Sequence, residues 1–195
     1  VQHLTLNDII DKKPGEFHIG FIGPVTAGKT TLCNEMYGTD EPVALGHCTE
    51  TCDVIYTNSR LCVWDMYGED NQFKYHDPLA LSFMKGLDLN VVPFDNDISM
   101  VSWIIRTIYA LNPQSLVLVR TKVDQCGADS ERTVEQEKAL DRQKLTALVG
   151  SPDIPLFAIS THNKKYNRGE VFDWEALKEK IGPAIEEDIE ELEEA

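Results

Sequence analysis

With 195 residues, 42% of them hydrophobic and 26% charged, the chain has the size and composition of one globular domain that can bury a core. Its net charge of −15 argues against nucleic acid or an anionic membrane as a general partner. No apolar run approaches the length of a transmembrane segment, and the five scattered cysteines fit neither a disulfide framework nor a zinc site. This cysteine usage favours a reducing, intracellular compartment.

Apolar periodicity and turn residues predict strands and helices that alternate along the chain. The strands are predicted over 16–22, 52–57, 60–64, 87–94, 115–120 and 154–160. The helices are predicted over 4–12, 30–37, a short segment ending near 86, 98–111, 130–149 and 171–181. This order predicts an α/β, three-layer fold: a six-stranded, mostly parallel sheet with one antiparallel edge strand and helices on both faces.

The helix over 98–111 carries an apolar stripe at helical spacing, which is expected to face the sheet. Its members are Met100, Trp103, Ile104, Ile108 and Leu111. The last dozen residues contain seven acidic residues and no basic one, so 183–195 is treated as a separate acidic segment. The first 15 residues are expected to form a helical extension, which leaves 16–182 as the main domain.

The segment from Gly23 to Thr30 fits G-x-x-x-x-G-K-[ST] between a predicted strand and a predicted helix. In that setting several backbone N–H groups and the positive helix end converge on one spot, which makes a phosphate cradle. Lys29 is predicted to reach the outer phosphates, and the Thr30 hydroxyl to ligate Mg²⁺. The residues predicted to bind phosphate are Gly23, Thr26, Ala27, Gly28, Lys29, Thr30 and Thr31.

Further motifs follow other predicted strands, where the carboxyl ends of parallel strands form the ligand edge of a sheet. Asp65 and Gly68 form a D-x-x-G motif, in which the carboxylate can hold Mg²⁺ through water and the glycine N–H can meet a γ-phosphate. Before the second strand, Thr49 and Thr51 are alternative candidates to complete the Mg²⁺ shell.

The motif from Thr121 to Asp124 predicts guanine specificity. The Asp124 carboxylate can accept hydrogen bonds from guanine N1–H and from the 2-amino group, whereas adenine offers neither donor there. The stem of Lys122 would pack on the base. After the last strand, Ser160 and Thr161 are predicted to bring backbone N–H groups to the guanine carbonyl oxygen.

Together these motifs make residues 16–181 similar to the translation-factor-type P-loop GTPases, the class that includes Ras. The resemblance implies GTP or GDP as ligand, Mg²⁺ as cofactor and a three-layer G domain. Within the class, Val119–Asp124 and Trp64-Asp65 resemble the immunity-related (interferon-inducible) GTPases. That likeness implies a nucleotide-dependent homodimer and leaves peripheral membrane association open.

Several positions depart from the family pattern. Thr121 stands where Asn is usual, and Met66-Tyr67 stand where Thr-Pro or Leu-Pro is usual. Glu69 replaces a water-orienting Gln, and its charge would repel the transition state. Val25 occupies a position that is glycine in Ras, where a side chain obstructs a partner's arginine finger.

The expected activity is therefore slow GTP hydrolysis by a molecular switch that works with an effector protein or by self-association. The residues expected to take part in catalysis are Lys29, Thr49, Gly68 and Glu69. The alternative is a GTP-binding scaffold that does not hydrolyse GTP.

Overall fold

The computed structural model describes residues 2–3, 14–38, 53–57, 61–66, 78–125, 132–165, 169 and 172–181. The strands are β1 (Gln2–His3), β2 (Phe17–Ile22), β3 (Asp53–Thr57), β4 (Leu61–Met66), β5 (Leu89–Phe94), β6 (Leu116–Arg120) and β7 (Leu156–Ala158). The helices are α1 (Lys29–Tyr37), α2 (Pro78–Gly86), α3 (Ser102–Leu111), α4 (Val134–Val149), α5 (Thr161–Lys165) and α6 (Trp174–Ile181). No helix among these residues is long and apolar enough to cross a membrane.

The described strands form one sheet in the order β1-β3-β4-β2-β5-β6-β7. Five neighbouring strands, from β4 to β7, run parallel, which confirms the α/β prediction. The prediction of six strands is wrong by one, and β3 is not the edge, because β1 pairs with it in antiparallel register. A two-residue strand is too short to show alternation in the sequence. The helix predicted over 4–12 lies outside the described residues.

The parallel strands are buried on both faces, which explains their nearly continuous apolar sequences. On one face, Ile22 and Leu118 pack with residues of α2 and α3. On the other, Phe21 and Val119 pack with residues of α1 and α6. The predicted helical layers on both faces are therefore present, and the carboxyl ends of β2, β4, β5, β6 and β7 lie at one edge.

The segment predicted as a helix over 98–111 begins as a 3₁₀ turn, Ile98–Val101, and continues as α3. The buried side chains are Ile98, Val101, Ile104, Ile105 and Ile108. Met100 is 56% exposed and Leu111 is 36% exposed, so their placement on the face toward the sheet is wrong. The 3₁₀ turn has three residues per turn rather than 3.6, and this shifts the buried stripe.

Helix α4 begins four residues later than predicted because Thr133 caps it. The Thr133 hydroxyl accepts a hydrogen bond from the Gln136 N–H at 3.3 Å, and the Gln136 side chain accepts one from the Thr133 N–H at 2.9 Å. This reciprocal pair is a capping box, which satisfies two N–H groups at the helix start. Gly150, at φ +76°, ends the helix.

A buried ion pair joins α4 to the end of β6. The Arg120 guanidinium lies 2.6 Å from the Asp141 carboxylate and 3.4 Å from that of Glu137. Burial raises the pKa of Asp141, and the hydrogen bond from Arg120 opposes that rise. Arg120 immediately precedes the motif predicted to bind guanine, so this ion pair fixes the strand end from which that motif departs.

We expect Asp141→Ala to lower the free energy of unfolding by about 2–3 kcal/mol, because it removes the carboxylate closest to the buried Arg120 guanidinium, at 2.6 Å. Urea denaturation measures the change, with Asp153→Ala, at an exposed aspartate, as the matched control. A loss for Asp141→Ala no larger than that of the control would contradict the assignment.

Candidate functional site

The predicted strand, turn and helix around Gly23–Thr30 are all present. Strand β2 ends at Ile22, a 3₁₀ turn covers Val25–Ala27, and α1 begins at Lys29. Gly28 adopts φ +75° between the turn and the helix, a left-handed conformation that favours glycine. Glycine is required at Gly23 for another reason, since a Cβ there would lie 2.7 Å from the Pro93 carbonyl oxygen.

The Lys29 side chain folds back over this loop and is only 6% exposed. Its ammonium group donates to the carbonyl of Gly23 at 2.7 Å and to that of Pro24 at 3.1 Å. These two hydrogen bonds fix the Lys29 ammonium group over the start of the loop. An anion bound in the loop would meet a positive charge that is already in place.

The amino-terminal end of α1 is suited to an anion. Its first turn contains no acidic residue, and no side chain caps it. Thr30 and Thr31 lie in this turn and are partly buried, whereas Thr26 is exposed and Ala27 is buried. The helix dipole and the first N–H groups of α1 therefore add to the charge of Lys29.

Thr121 connects the end of β6 to the phosphate loop. Its hydroxyl lies 2.9 Å from the Ala27 carbonyl oxygen and 3.3 Å from that of Phe94, and its N–H donates to Phe94 at 2.8 Å. The threonine at this position, where Asn is usual in the family it resembles, thus contacts the loop and β5. Because the side chain is buried, its hydroxyl is committed to these backbone oxygens.

Lys122 makes a second connection to the same loop. Its ammonium group donates to the Thr26 carbonyl at 2.7 Å and to the Asp95 carboxylate at 2.6 Å. The backbone of Lys122 has φ +55°, which is uncommon for a residue other than glycine. Residues 26–27 and 121–122 are therefore joined by two side-chain hydrogen bonds.

The motifs after β6 and β7 also meet. The Ser160 hydroxyl donates to the Asp124 carboxylate at 2.5 Å, and Ser160 is buried. Backbone hydrogen bonds from Ile159 N–H to Arg120 and from Val123 N–H to Ile159 align the two segments. Thr161 begins α5, a helix that the sequence did not predict because five residues are too few to show helical periodicity.

No protein-family model and no curated protein matches this sequence. Among solved structures, the G domain of the FeoB iron transporter from T. maritima is similar, with 19% identity, a TM-score of 0.51, and coverage of 85% of this chain and 96% of that one. Translation elongation factor SelB from Methanococcus maripaludis is also similar. Its complex with the GTP analogue GppNHp has 14% identity and a TM-score of 0.51, with 85% of this chain and 33% of that chain covered. The apo form of SelB has 15% identity and a TM-score of 0.52, and the match covers 85% of this chain and 32% of the SelB chain.

The chain has the fold of a P-loop GTPase G domain. It spans almost all of the FeoB G domain and about a third of SelB. At such identities the likeness concerns the fold. Neither neighbour is described as an immunity-related GTPase, so that sub-family prediction rests on sequence motifs alone.

Several of the predicted site residues lie outside the described part of the chain. Asp65 lies within β4, which continues two residues beyond the predicted end at Trp64, and its side chain lies outside the described residues. Thr49, Thr51, Gly68 and Glu69 also lie outside them. Of the predicted Mg²⁺ ligands, only the Thr30 side chain is described. The predicted ligand set is composed of hydroxyl and carboxylate oxygens, the donors that Mg²⁺ prefers.

Asp95 lies beside the candidate site and was not among the residues predicted from the sequence. It directly follows β5 at the carboxyl edge of the sheet and contacts Lys122. Its position after a buried strand is a signal that could have identified it, but an Asp-Asn-Asp run is equally typical of an ordinary turn.

Proposed function

We propose that this protein binds GTP and GDP with Mg²⁺ and hydrolyses GTP slowly as a molecular switch. The observation that carries the proposal is the pair of hydrogen bonds from Thr121 and Lys122 to the carbonyls of Ala27 and Thr26. They hold a phosphate-binding loop beside a motif with the chemistry of guanine recognition, at one edge of the sheet. A G domain fold accounts for that arrangement.

The phosphates would be bound by the loop N–H groups, by the first turn of α1 and by the Lys29 ammonium. Thr30, Asp65 and either Thr49 or Thr51 would hold Mg²⁺. The bound cation would neutralise charge on the phosphate oxygens and help to align the γ-phosphate. Lys29 would add a fixed positive charge where charge develops in the transition state.

The base would lie between the Lys122 stem and the segment that carries Ser160 and Thr161. Asp124 would accept hydrogen bonds from guanine N1–H and the 2-amino group. The Ser160 hydroxyl, 2.5 Å from the Asp124 carboxylate, would hold that carboxylate in the orientation it needs. ATP is disfavoured, because adenine would leave a desolvated carboxylate without these donors.

Slow hydrolysis is proposed from the sequence of the second switch. Glu69 follows Gly68 where a neutral, water-orienting Gln is usual, and its charge would oppose that of the γ-phosphate. Thr49 and Gly68 would bind the γ-phosphate and release it after hydrolysis. As the sub-family likeness of Val119–Asp124 implies, a second copy of the chain would complete the catalytic site.

The alternative function is a scaffold that binds GTP without hydrolysing it. Glu69 and the unusual Met66-Tyr67 favour it, because both changes bear on catalysis more than on binding. An effector protein, an intracellular location and peripheral membrane association remain parts of the proposal that rest on the family resemblance.

The experiment is Mg²⁺-dependent GTP turnover per molecule, measured over a wide range of protein concentration. We expect slow turnover that requires Mg²⁺, with a rate per molecule that rises with concentration if self-association completes the site. Tight GTP binding without phosphate release at any concentration would overturn the proposed hydrolysis and favour the scaffold.

A further inference from the structure

Asp95 lies where β5 reaches the ligand edge of the sheet, directly after Phe94. Its side chain is mostly buried, with 13% of its surface exposed, and one carboxylate oxygen lies 2.6 Å from the Lys122 ammonium. The predicted roles in nucleotide binding do not include it. A carboxylate this close to the base site would add unfavourable charge near a polyanionic ligand unless it is matched by a cation.

The Lys122 ammonium lies between two acceptors on different elements. One is the Asp95 carboxylate after β5, and the other is the Thr26 carbonyl in the phosphate loop, at 2.7 Å. The side chain of Lys122 is 38% exposed, so without an anchor its ammonium group could turn to solvent. A charge-assisted hydrogen bond from a mostly buried carboxylate restricts that motion and fixes the lysine stem.

We propose that Asp95 is a positioning residue for the guanine nucleotide and acts through Lys122. The inference rests on the proposed function, because it assigns Asp95 a part in that same site. By holding the ammonium group against Thr26, Asp95 keeps the Lys122 stem in place as a platform for the base. It also keeps the phosphate loop tied to β5 before any nucleotide arrives.

A second aspartate on the same turn supplies a matched control. Asp97 pairs with Lys144 of α4 and accepts a hydrogen bond from the Ser99 N–H at 2.8 Å. These two interactions lower the pKa of Asp97 to about 2. Asp95 and Asp97 thus both form ion pairs with lysine, but the partner of Asp97 belongs to a helix rather than to the nucleotide motif.

The experiment measures the dissociation rate of fluorescently labelled GDP from the full chain carrying Asp95→Asn or Asp97→Asn. Both changes are repeated in a Lys122→Met background, which keeps an apolar stem and removes the ammonium group. We expect Asp95→Asn to raise the dissociation rate about two- to fivefold, Asp97→Asn to leave it unchanged, and Lys122→Met to abolish the effect of Asp95→Asn. The midpoint of thermal unfolding is measured for every variant.

An effect of Asp95→Asn that persists in the Lys122→Met background would overturn the proposal, because the residue would then act by another route. A lower unfolding midpoint with an unchanged dissociation rate would also overturn it and show a purely structural role. In both cases the unaltered protein still binds GDP, and the proposed function stands. If the unaltered protein does not bind labelled GDP, the proposed function and this inference fail together.

Discussion

Lys29→Ala is expected to lower the affinity for GTP and GDP by more than about a hundredfold. The Lys29 ammonium is buried at the start of the phosphate loop, where an exposed lysine could not replace it. A hydrogen bond with a charged donor contributes about 1.5–3 kcal/mol. If the Lys29 ammonium donates two such bonds to the phosphates, their loss lowers the affinity by at least about a hundredfold. Equilibrium titrations with labelled GTP and with labelled GDP measure the loss.

The control for this variant is Lys85→Ala, at an exposed lysine in the last turn of α2. Because Lys29 also donates to the carbonyls of Gly23 and Pro24, its removal can loosen the loop itself. Circular dichroism and the midpoint of thermal unfolding therefore accompany the titration. A folded Lys29→Ala variant that binds GTP as tightly as the unaltered protein would contradict the assignment of the loop.

Asp124→Asn is expected to lower GTP affinity by about a thousandfold and to raise the affinity for XTP. In the proposed site the carboxylate would accept hydrogen bonds from two guanine donors, and a site built around such a pair rejects a mismatched partner by factors of this order. Xanthine carries a carbonyl at C2 in place of the amino group, so an amide N–H₂ can donate to it. The Asn oxygen can still accept a hydrogen bond from Ser160, so the site should keep its shape.

Competition of GTP, XTP and ATP against a labelled nucleotide measures this change. Asp153→Asn, at an exposed aspartate outside the site, is the matched control. If Asp124→Asn leaves the preference for GTP over XTP as it was, Asp124 does not read the base.

The parts of the fold that were predicted correctly, and the placement of the motifs at one edge of the sheet, depend on short sequence patterns. The strand, turn and helix around Gly23–Thr30 are encoded within about 20 consecutive residues. The alternation of strands and helices along the chain predicted the parallel sheet. The segments around Thr121 and Ser160 were expected at one edge because parallel strands end there. The structure places Ser160 in contact with Asp124, as that rule implies.

The features that were missed depend on the tertiary structure. Strand β1 has two residues, and it joins the sheet by pairing with β3, which is about 50 residues away along the chain. The exposure of Met100 follows from a 3₁₀ turn that the helical periodicity does not reveal. Asp95 lies 27 residues from Lys122 along the chain and meets it only because β5 and β6 are neighbours.

The proposed function requires that Lys29 and Asp124, at one edge of the sheet, belong to a single guanine-nucleotide site. The most direct test is competition between GTP, GDP and ATP for binding to the unaltered protein in the presence of Mg²⁺. We predict that GTP and GDP bind and that ATP competes at least about a thousandfold less well, because Asp124 finds no donors on adenine. Equal competition by ATP and GTP, or no nucleotide binding at all, would contradict the claim.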